Sequence, residues 1–235
     1  MRILYAGDSP VGGPANYLLG ILQFLKADFI HLAPSEILRP RLLKRRYDAI
    51  ILSDFSRRHV PTASQKRIAE QAANGMGLLM IGGWGSFSGP LGGWHGALVE
   101  KILPVSCLNR DDRVNFPGGA LIIEKKKHPM FRSIRWNDPP VICGLNQFRP
   151  RKNGLVLLAA RRMKDRTEFP LLVVDRNPKK RIAALATDLA PHWSGGLVDW
   201  GTRRVKIRVN KRIQIEVGGL YVRFVSSLIK WLAGK

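Results

Sequence analysis

The sequence predicts an α/β fold: a doubly wound, mainly parallel sheet with an antiparallel extension in its second half. Three observations carry this. Short apolar runs without polar alternation, at residues 48–53 and 78–81, suit strands buried on both faces. Four strands alternate with helices within the first 82 residues. After residue 118, strand follows strand with little helix between them.

Residues 2–6 form the first strand, which ends in Gly7-Asp8-Ser9-Pro10, with Gly12-Gly13-Pro14 beyond. Asp8 falls at a strand's carboxyl end, where α/β sheets meet ligands; the alternative role is to cap the turn. Tyr17, Leu18, Ile21, Leu22 and Leu25 then mark one face of a helix. Residues 29–33 are a second strand, and Pro34-Ser35-Glu36 opens a basic helix through Arg46. Residues 48–53 are the third strand, ending in Asp54-Phe55-Ser56. Thr62-Ala63-Ser64-Gln65 reads as a capping box, and Asn74-Gly75 stops that helix.

Residues 74–104 organise the chain. The fourth strand, 78–81, runs into a crest containing Gly82, Gly83, Gly85 and Gly89. Glycine permits positive φ and close approach of another group. Trp94, Leu98 and Ile102 then follow helical spacing up to Pro104. The crest is not a phosphate-binding P-loop, because no Gly-Lys-Ser/Thr follows. It is not a dinucleotide fingerprint either, because Ser88 stands where the third glycine belongs. Nor is it a Gly-x-Ser-x-Gly elbow, since Ser86 and Ser88 are flanked wrongly.

In the second half, residues 109–117 read as a polar loop. Residues 119–124, 141–146, 155–160, 171–175 and 181–187 read as strands. Asp188-Leu189-Ala190-Pro191-His192-Trp193-Ser194-Gly195-Gly196 is a second dense cluster of polar, aromatic and glycine residues. Residues 205–215 alternate as a hairpin with one basic face. Leu220, Phe224, Leu228 and Trp231 line a closing helix.

The net charge of +22 and pI near 10.9 attract nucleic acid or other anions. The basic residues are spread along the chain, however, which favours a generally basic surface over a dedicated nucleic-acid interface. No apolar run is long enough for a membrane span, and the N-terminus lacks a signal-peptide core. Two cysteines, Cys107 and Cys143, are too few for a disulfide framework, so the expected location is cytoplasmic. His31, His59 and His95 show no metal-ligand spacing. No metal or cofactor is expected.

Residues 77–87, then Gly92-Gly93-Trp94 and Leu103-Pro104-Val105, resemble the family of putative glutamine amidotransferase domains in the class I glutamine amidotransferase-like superfamily. His128-Pro129, Trp136-Asn137-Asp138-Pro139-Pro140, Asp188-Leu189-Ala190-Pro191-His192-Trp193, Asp199-Trp200-Gly201 and Glu216-Val217-Gly218 resemble the same group. The likeness runs from Arg2 to Leu232 and implies a flavodoxin-like sheet in one domain over residues 1–235. In working members a cysteine sits on the turn after the central strand. A later histidine activates it, an acidic residue lies two positions on, and backbone N–H groups hold the oxyanion.

This chain departs from that pattern. The turn offers Gly82 and Gly83, with no cysteine. Position 194 is Ser194, and the loop after the third strand lacks paired glycines. The expectation is therefore an amidotransferase-like protein without glutaminase activity. Gly82, Gly83, Trp84, Trp94, Asp8, Asp54, Asp188 and Trp193, with His192, are the candidates to line a pocket for a small molecule or protein partner. Two other readings stay open. One is a hydrolase or amidotransferase using Ser86, Cys107 or Cys143 with His192; the other is a basic nucleic-acid-binding protein. The fold also leaves room for a homo-oligomer.

Overall fold

A computed structural model describes residues 1–9 and 13–235; Pro10 and Gly12 of the expected first turn lie outside the described residues. In chain order the elements are β1 (Arg2–Gly7), α1 (Ala15–Phe24), β2 (Asp28–Leu32), β3 (Ala49–Ser53), α2 (Thr62–Ala73) and β4 (Gly77–Ile81). Then come α3 (Leu98–Ile102), β5 (Val105–Cys107), β6 (Arg113–Glu124), β7 (Val141–Asn146), β8 (Phe148–Pro150), β9 (Gly154–Arg162) and β10 (Glu168–Asp175). The chain closes with β11 (Ile182–Leu185), α4 (Pro191–Val198), β12 (Arg204–Arg208), β13 (Gln214–Gly218) and α5 (Gly219–Leu232).

Nine strands form one sheet in the order β2-β1-β3-β4-β11-β10-β9-β6-β7. The first five are mutually parallel, with Leu4 opposite Ile50, Ile51 opposite Leu79 and Ala184 opposite Met80. Their order is that of a flavodoxin-like sheet. From β10 onward every pairing is antiparallel. The predicted fold class therefore holds in both halves. Every residue of β3, β4 and β11 is buried, as unbroken apolar runs require of central parallel strands.

Helix α1 packs on α5 and on the β12–β13 hairpin. Ile207 and Val209 of the hairpin are buried, while Lys206 and Arg208 face solvent. The alternation thus gives one face packed on the protein and one basic, solvated face.

Several local expectations fail for identifiable reasons. No α-helix spans 36–46; only Leu42–Lys44 makes a short 3-10 turn. Pro40 has no N–H to donate and disfavours helical geometry at Arg39. The helix expected from Trp94 begins only at Leu98, because Gly93 (φ +67°) and Gly96 (φ +75°) take left-handed turns before it. The capping box does not form. Pro61 is the residue before α2 and makes no side-chain cap. Ser64 instead donates to Leu38 O, and Gln65 bridges Val60 O at 3.0 Å and Leu98 N at 3.1 Å. The supposed loop at 109–117 holds the start of β6, whose pairing with β7 is interrupted by an irregularity between Asn115 and Ala120.

Candidate functional site at the carboxyl ends of the parallel strands

The carboxyl ends of β1, β3, β4 and β11 converge. Asp8 and Asp54 follow β1 and β3 directly, each in a left-handed turn (φ +47° and +48°). The crest follows β4, and Asp188 lies between β11 and α4. A cavity of about 220 Å³ lies among Asp8, Pro14, Asp54, Gly82, Gly83, Trp84, Asp188, His192 and Trp193. A second of about 330 Å³ adjoins it through Trp84, His192 and Trp193, and is completed by Arg113, Asn115, Phe116, Pro117 and Cys143.

The crest is tightly fixed. Gly82 N donates to Leu185 O at 2.8 Å, across to β11. Asn146, fully buried at the end of β7, accepts from Gly83 N at 2.8 Å and donates to Gly83 O at 3.2 Å. The same amide donates to Asp112 Oδ1 at 2.7 Å, and Asp112 Oδ2 accepts from Ser88 N at 2.6 Å. Burial raises the Asp112 carboxyl to about 6 despite these donors. A Cβ at Gly82 would lie 2.0 Å from Ala186 O. One at Gly83 (φ +151°) would lie 2.7 Å from Asp54 Oδ1. Both positions therefore require glycine.

The three carboxylates are held differently. Asp8 accepts from Tyr5 Oη at 2.6 Å; burial raises it to about 7. Asp54 accepts from Gly85 N, and its pKa is raised by burial against the opposing pull of that N–H and of His192. Asp188 Oδ2 accepts from Trp193 N at 3.3 Å, while Oδ1 is buried with no partner among the described residues. Burial raises Asp188 to about 7, and the neighbouring Asp8 and Asp54 charges add to the effect.

His192 stands near the start of α4, with a side chain 64% exposed and Nδ1 3.9 Å from Asp188 Oδ2. Trp193 is buried; its indole donates to Asn115 Oδ1 at 3.1 Å. Ser194 does not supply a third member of a catalytic array. It is fully buried and donates to Asp188 O at 2.7 Å, fixing the loop that carries Asp188.

Two expected site residues lie elsewhere. Trp94 is fully buried beneath the crest, where its indole donates to Phe55 O at 3.0 Å. Ser86 is 1% exposed; its hydroxyl donates to Ile81 O and accepts from Asp54 N at 3.0 Å. Its proton is committed to a carbonyl, and no hydrogen bond joins it to His192. Cys107 is buried, and burial beside Glu100 raises its thiol further. Cys143 is exposed and shares the larger cavity with His192.

Asn146, Asp112, Arg113 and Asn115 were not expected. Arg113 lays its guanidinium over the Trp84 ring, 4.3 Å from the centroid. Among the described residues, no group of three or more His, Cys, Asp or Glu side chains is arranged to hold a metal ion. Among the described residues, no helix is long and apolar enough to cross a membrane.

Sheet order and the convergence of the site at the strand ends define a flavodoxin-like α/β protein. The chain belongs to the family described as "Putative glutamine amidotransferase", whose model matches residues 41–211. It is similar to the solved structure of a cytoplasmic protein from Salmonella typhimurium LT2, at 26% identity and TM-score 0.69, over 82% of this chain and 90% of that one. A second cytoplasmic protein from Salmonella typhimurium matches at 23% identity and TM-score 0.71, over 97% of this chain and 98% of that one. A glutamine amidotransferase from Thermotoga maritima shares the fold at 11% identity and TM-score 0.55, over 100% of this chain and 99% of that one. None of the curated proteins compared with the chain matches it.

Proposed function

We propose that this amidotransferase-like protein has no glutaminase activity and uses the strand-end cavity to bind a small molecule or a partner's side chain. The observation that carries this is the crest. Neither Gly82 nor Gly83 has room for a Cβ, and the thiolate chemistry of the class needs a side chain there. Asp8, Asp54, Gly82, Gly83, Trp84, Asp188, His192 and Trp193 form the binding wall, with Trp94 supporting the crest from below. The reading keeps the chain as one domain. It also keeps it in the cytoplasm, the compartment named for the two Salmonella relatives.

A second reading has one observation in its favour: Cys143 and His192 line the same cavity. There the Cys143 thiol on β7 would give its proton to His192 and attack an amide or ester carbonyl; the amine or alcohol would leave with that proton, and water would hydrolyse the resulting thioester. One experiment separates the two. The protein is incubated with L-glutamine, and with glutamine and alkyl esters as alternative substrates, and glutamate or acid release is followed. The expected result is no release above buffer. Release that disappears in both Cys143→Ser and His192→Ala would overturn the binding-protein reading. The basic surface is tested in parallel by binding to a random-sequence duplex at rising salt. Steeply salt-dependent binding would support a nucleic-acid role.

A further inference from the structure

We infer that the cavity between Asp8, Asp54 and Asp188 receives the primary ammonium group of a small organic ligand. This rests on the pocket reading above and adds the chemical class of its occupant.

Lysine and arginine outnumber aspartate and glutamate by 39 to 17 along the chain. Yet among the described residues this cavity is walled by three carboxylates and by no lysine or arginine. Among the described residues, no Lys or Arg forms an ion pair with Asp8, Asp54 or Asp188; the one pairing is the 3.9 Å approach of His192 to Asp188. Carboxylates gathered in a low-dielectric site repel one another unless a cation joins them.

The bonding of Asp188 is unfinished among the described residues. The residue is 9% exposed, and its Oδ1 is buried without a partner among the described residues. A buried carboxylate oxygen without a donor is costly, and native structures seldom leave one so. The hydrogen-bond donors that reach the cluster from the protein are neutral: the hydroxyls of Tyr5, Ser53 and Ser194 and the backbone N–H groups of Gly85 and Trp193. They orient the carboxyl groups and leave uncompensated the charge these carry once ionised. An ammonium group carries three donors on one centre and suits three acceptors converging from separate strand ends.

The remaining walls favour an organic cation over a metal ion. The indoles of Trp84 and Trp193 line both this cavity and the adjoining one, and aromatic faces attract ammonium and guanidinium groups. Trp84, 47% exposed, already carries the Arg113 guanidinium. The ligand's aliphatic stem would pass between the indoles into the adjoining 330 Å³ cavity.

Protonation follows from the same geometry. The groups facing the carboxylates are Tyr5 of β1, His192 of α4 and Tyr221 of α5, besides the carboxylates themselves. Burial holds Asp8 and Asp188 near 7, so each is largely protonated at pH 6 and largely ionised at pH 8. An arriving ammonium stabilises the ionised forms, so binding releases protons below pH 8 and tightens as pH rises.

The test is calorimetric titration of the full chain with n-butylammonium chloride, n-butanol, sodium butyrate and magnesium chloride. It is run at pH 6 and pH 8, in two buffers of different ionisation enthalpy. The expectation is that butylammonium binds in preference to the others, about tenfold tighter at pH 8 than at pH 6, with buffer-dependent heat that reports proton release. Asp188→Asn should weaken it at least about tenfold while thermal unfolding stays cooperative. The proton release of the unaltered protein answers the question even if that variant fails to fold. Butanol or butyrate binding as well as butylammonium, with a shift in Trp fluorescence, overturns the cation inference and leaves the pocket standing. Tight magnesium binding overturns it in favour of a metal site. No heat and no fluorescence change with any probe overturns both readings.

Discussion

Asn146 holds Gly83 from both sides, its Oδ1 accepting from Gly83 N at 2.8 Å and its Nδ2 donating to Gly83 O at 3.2 Å. The end of β7, in the antiparallel half, therefore fixes the backbone of the crest that follows β4 in the parallel half. The amide does so as a buried mimic of a neighbouring strand's backbone.

Asn146→Ala removes both crest bonds and the donor to Asp112, leaving buried groups unsatisfied. The expected cost is roughly 2–4 kcal/mol, read from urea unfolding. Asn146→Asp keeps the acceptor but loses the donor beside the raised Asp112 carboxyl. Its penalty should grow from pH 5 to pH 8, as both carboxyls ionise.

Gly144→Ala tests how closely α4 packs on β7. A Cβ there would lie 2.4 Å from Trp193 Nε1. The ring must shift, breaking its bond to Asn115. A loss of about 1–3 kcal/mol is expected, together with a changed near-ultraviolet tryptophan signal. An unchanged signal would mean that Trp193 is not seated against β7.

Asp188 gives a pH-dependent stability with a definite sign. Its pKa is about 7 in the folded protein and near 3.8 unfolded. The folded state thus holds more protons between those values, and stability falls as pH rises from about 4 to about 7. Asp188→Asn removes that slope. The variant should gain on the wild type at pH 8 relative to pH 5 by roughly 2–3 kcal/mol, for the two pH units between 5 and the folded value of about 7. Melting temperatures at the two pH values check this, and an equal difference at both would refute it.

The two thiols should react at very different rates. Cys143 is exposed and Cys107 buried, with its thiol pushed further up by burial and by Glu100. An alkylating reagent should label Cys143 alone in the native protein and both after denaturation, as mass spectrometry would reveal. Labelling should also quench Trp193 or Trp84, which share the cavity with Cys143.

Much of this arrangement is legible in the sequence, for a physical reason. Central parallel strands are uniformly apolar, so β1, β3 and β4 announce themselves. Any polar residue directly after such a strand stands at the ligand-bearing edge, which identified Asp8 and Asp54. Asp188 follows the same logic at the end of β11. What could not be read was long-range pairing. Asn146 meets Gly83 only because β7 and β4 end at the same height on the sheet, which no spacing encodes. The start of β6 was hidden by its polar residues, Arg113 and Asn115. Trp94 satisfied a helical period with Leu98 and Ile102, yet Gly93 just before it and Gly96 just after it marked turns. Pro40 likewise stood against a helix at 36–46.

The position of β11 has a consequence for synthesis. Leu78 of β4 pairs with Ile182 of β11, from the opposite half of the chain. As the polypeptide emerges from the ribosome, β2, β1, β3 and β4 can assemble early, but β4 then presents an apolar, unpaired edge until β11 arrives. The intervening antiparallel strands can form by local pairing in the meantime. Asp8 and Asp54 would be in place on the nascent chain, while Asp188 and His192 are delivered only afterwards. A ribosome stalled before residue 182 would thus expose the edge most in need of a chaperone, and would carry only the first two walls of the cavity.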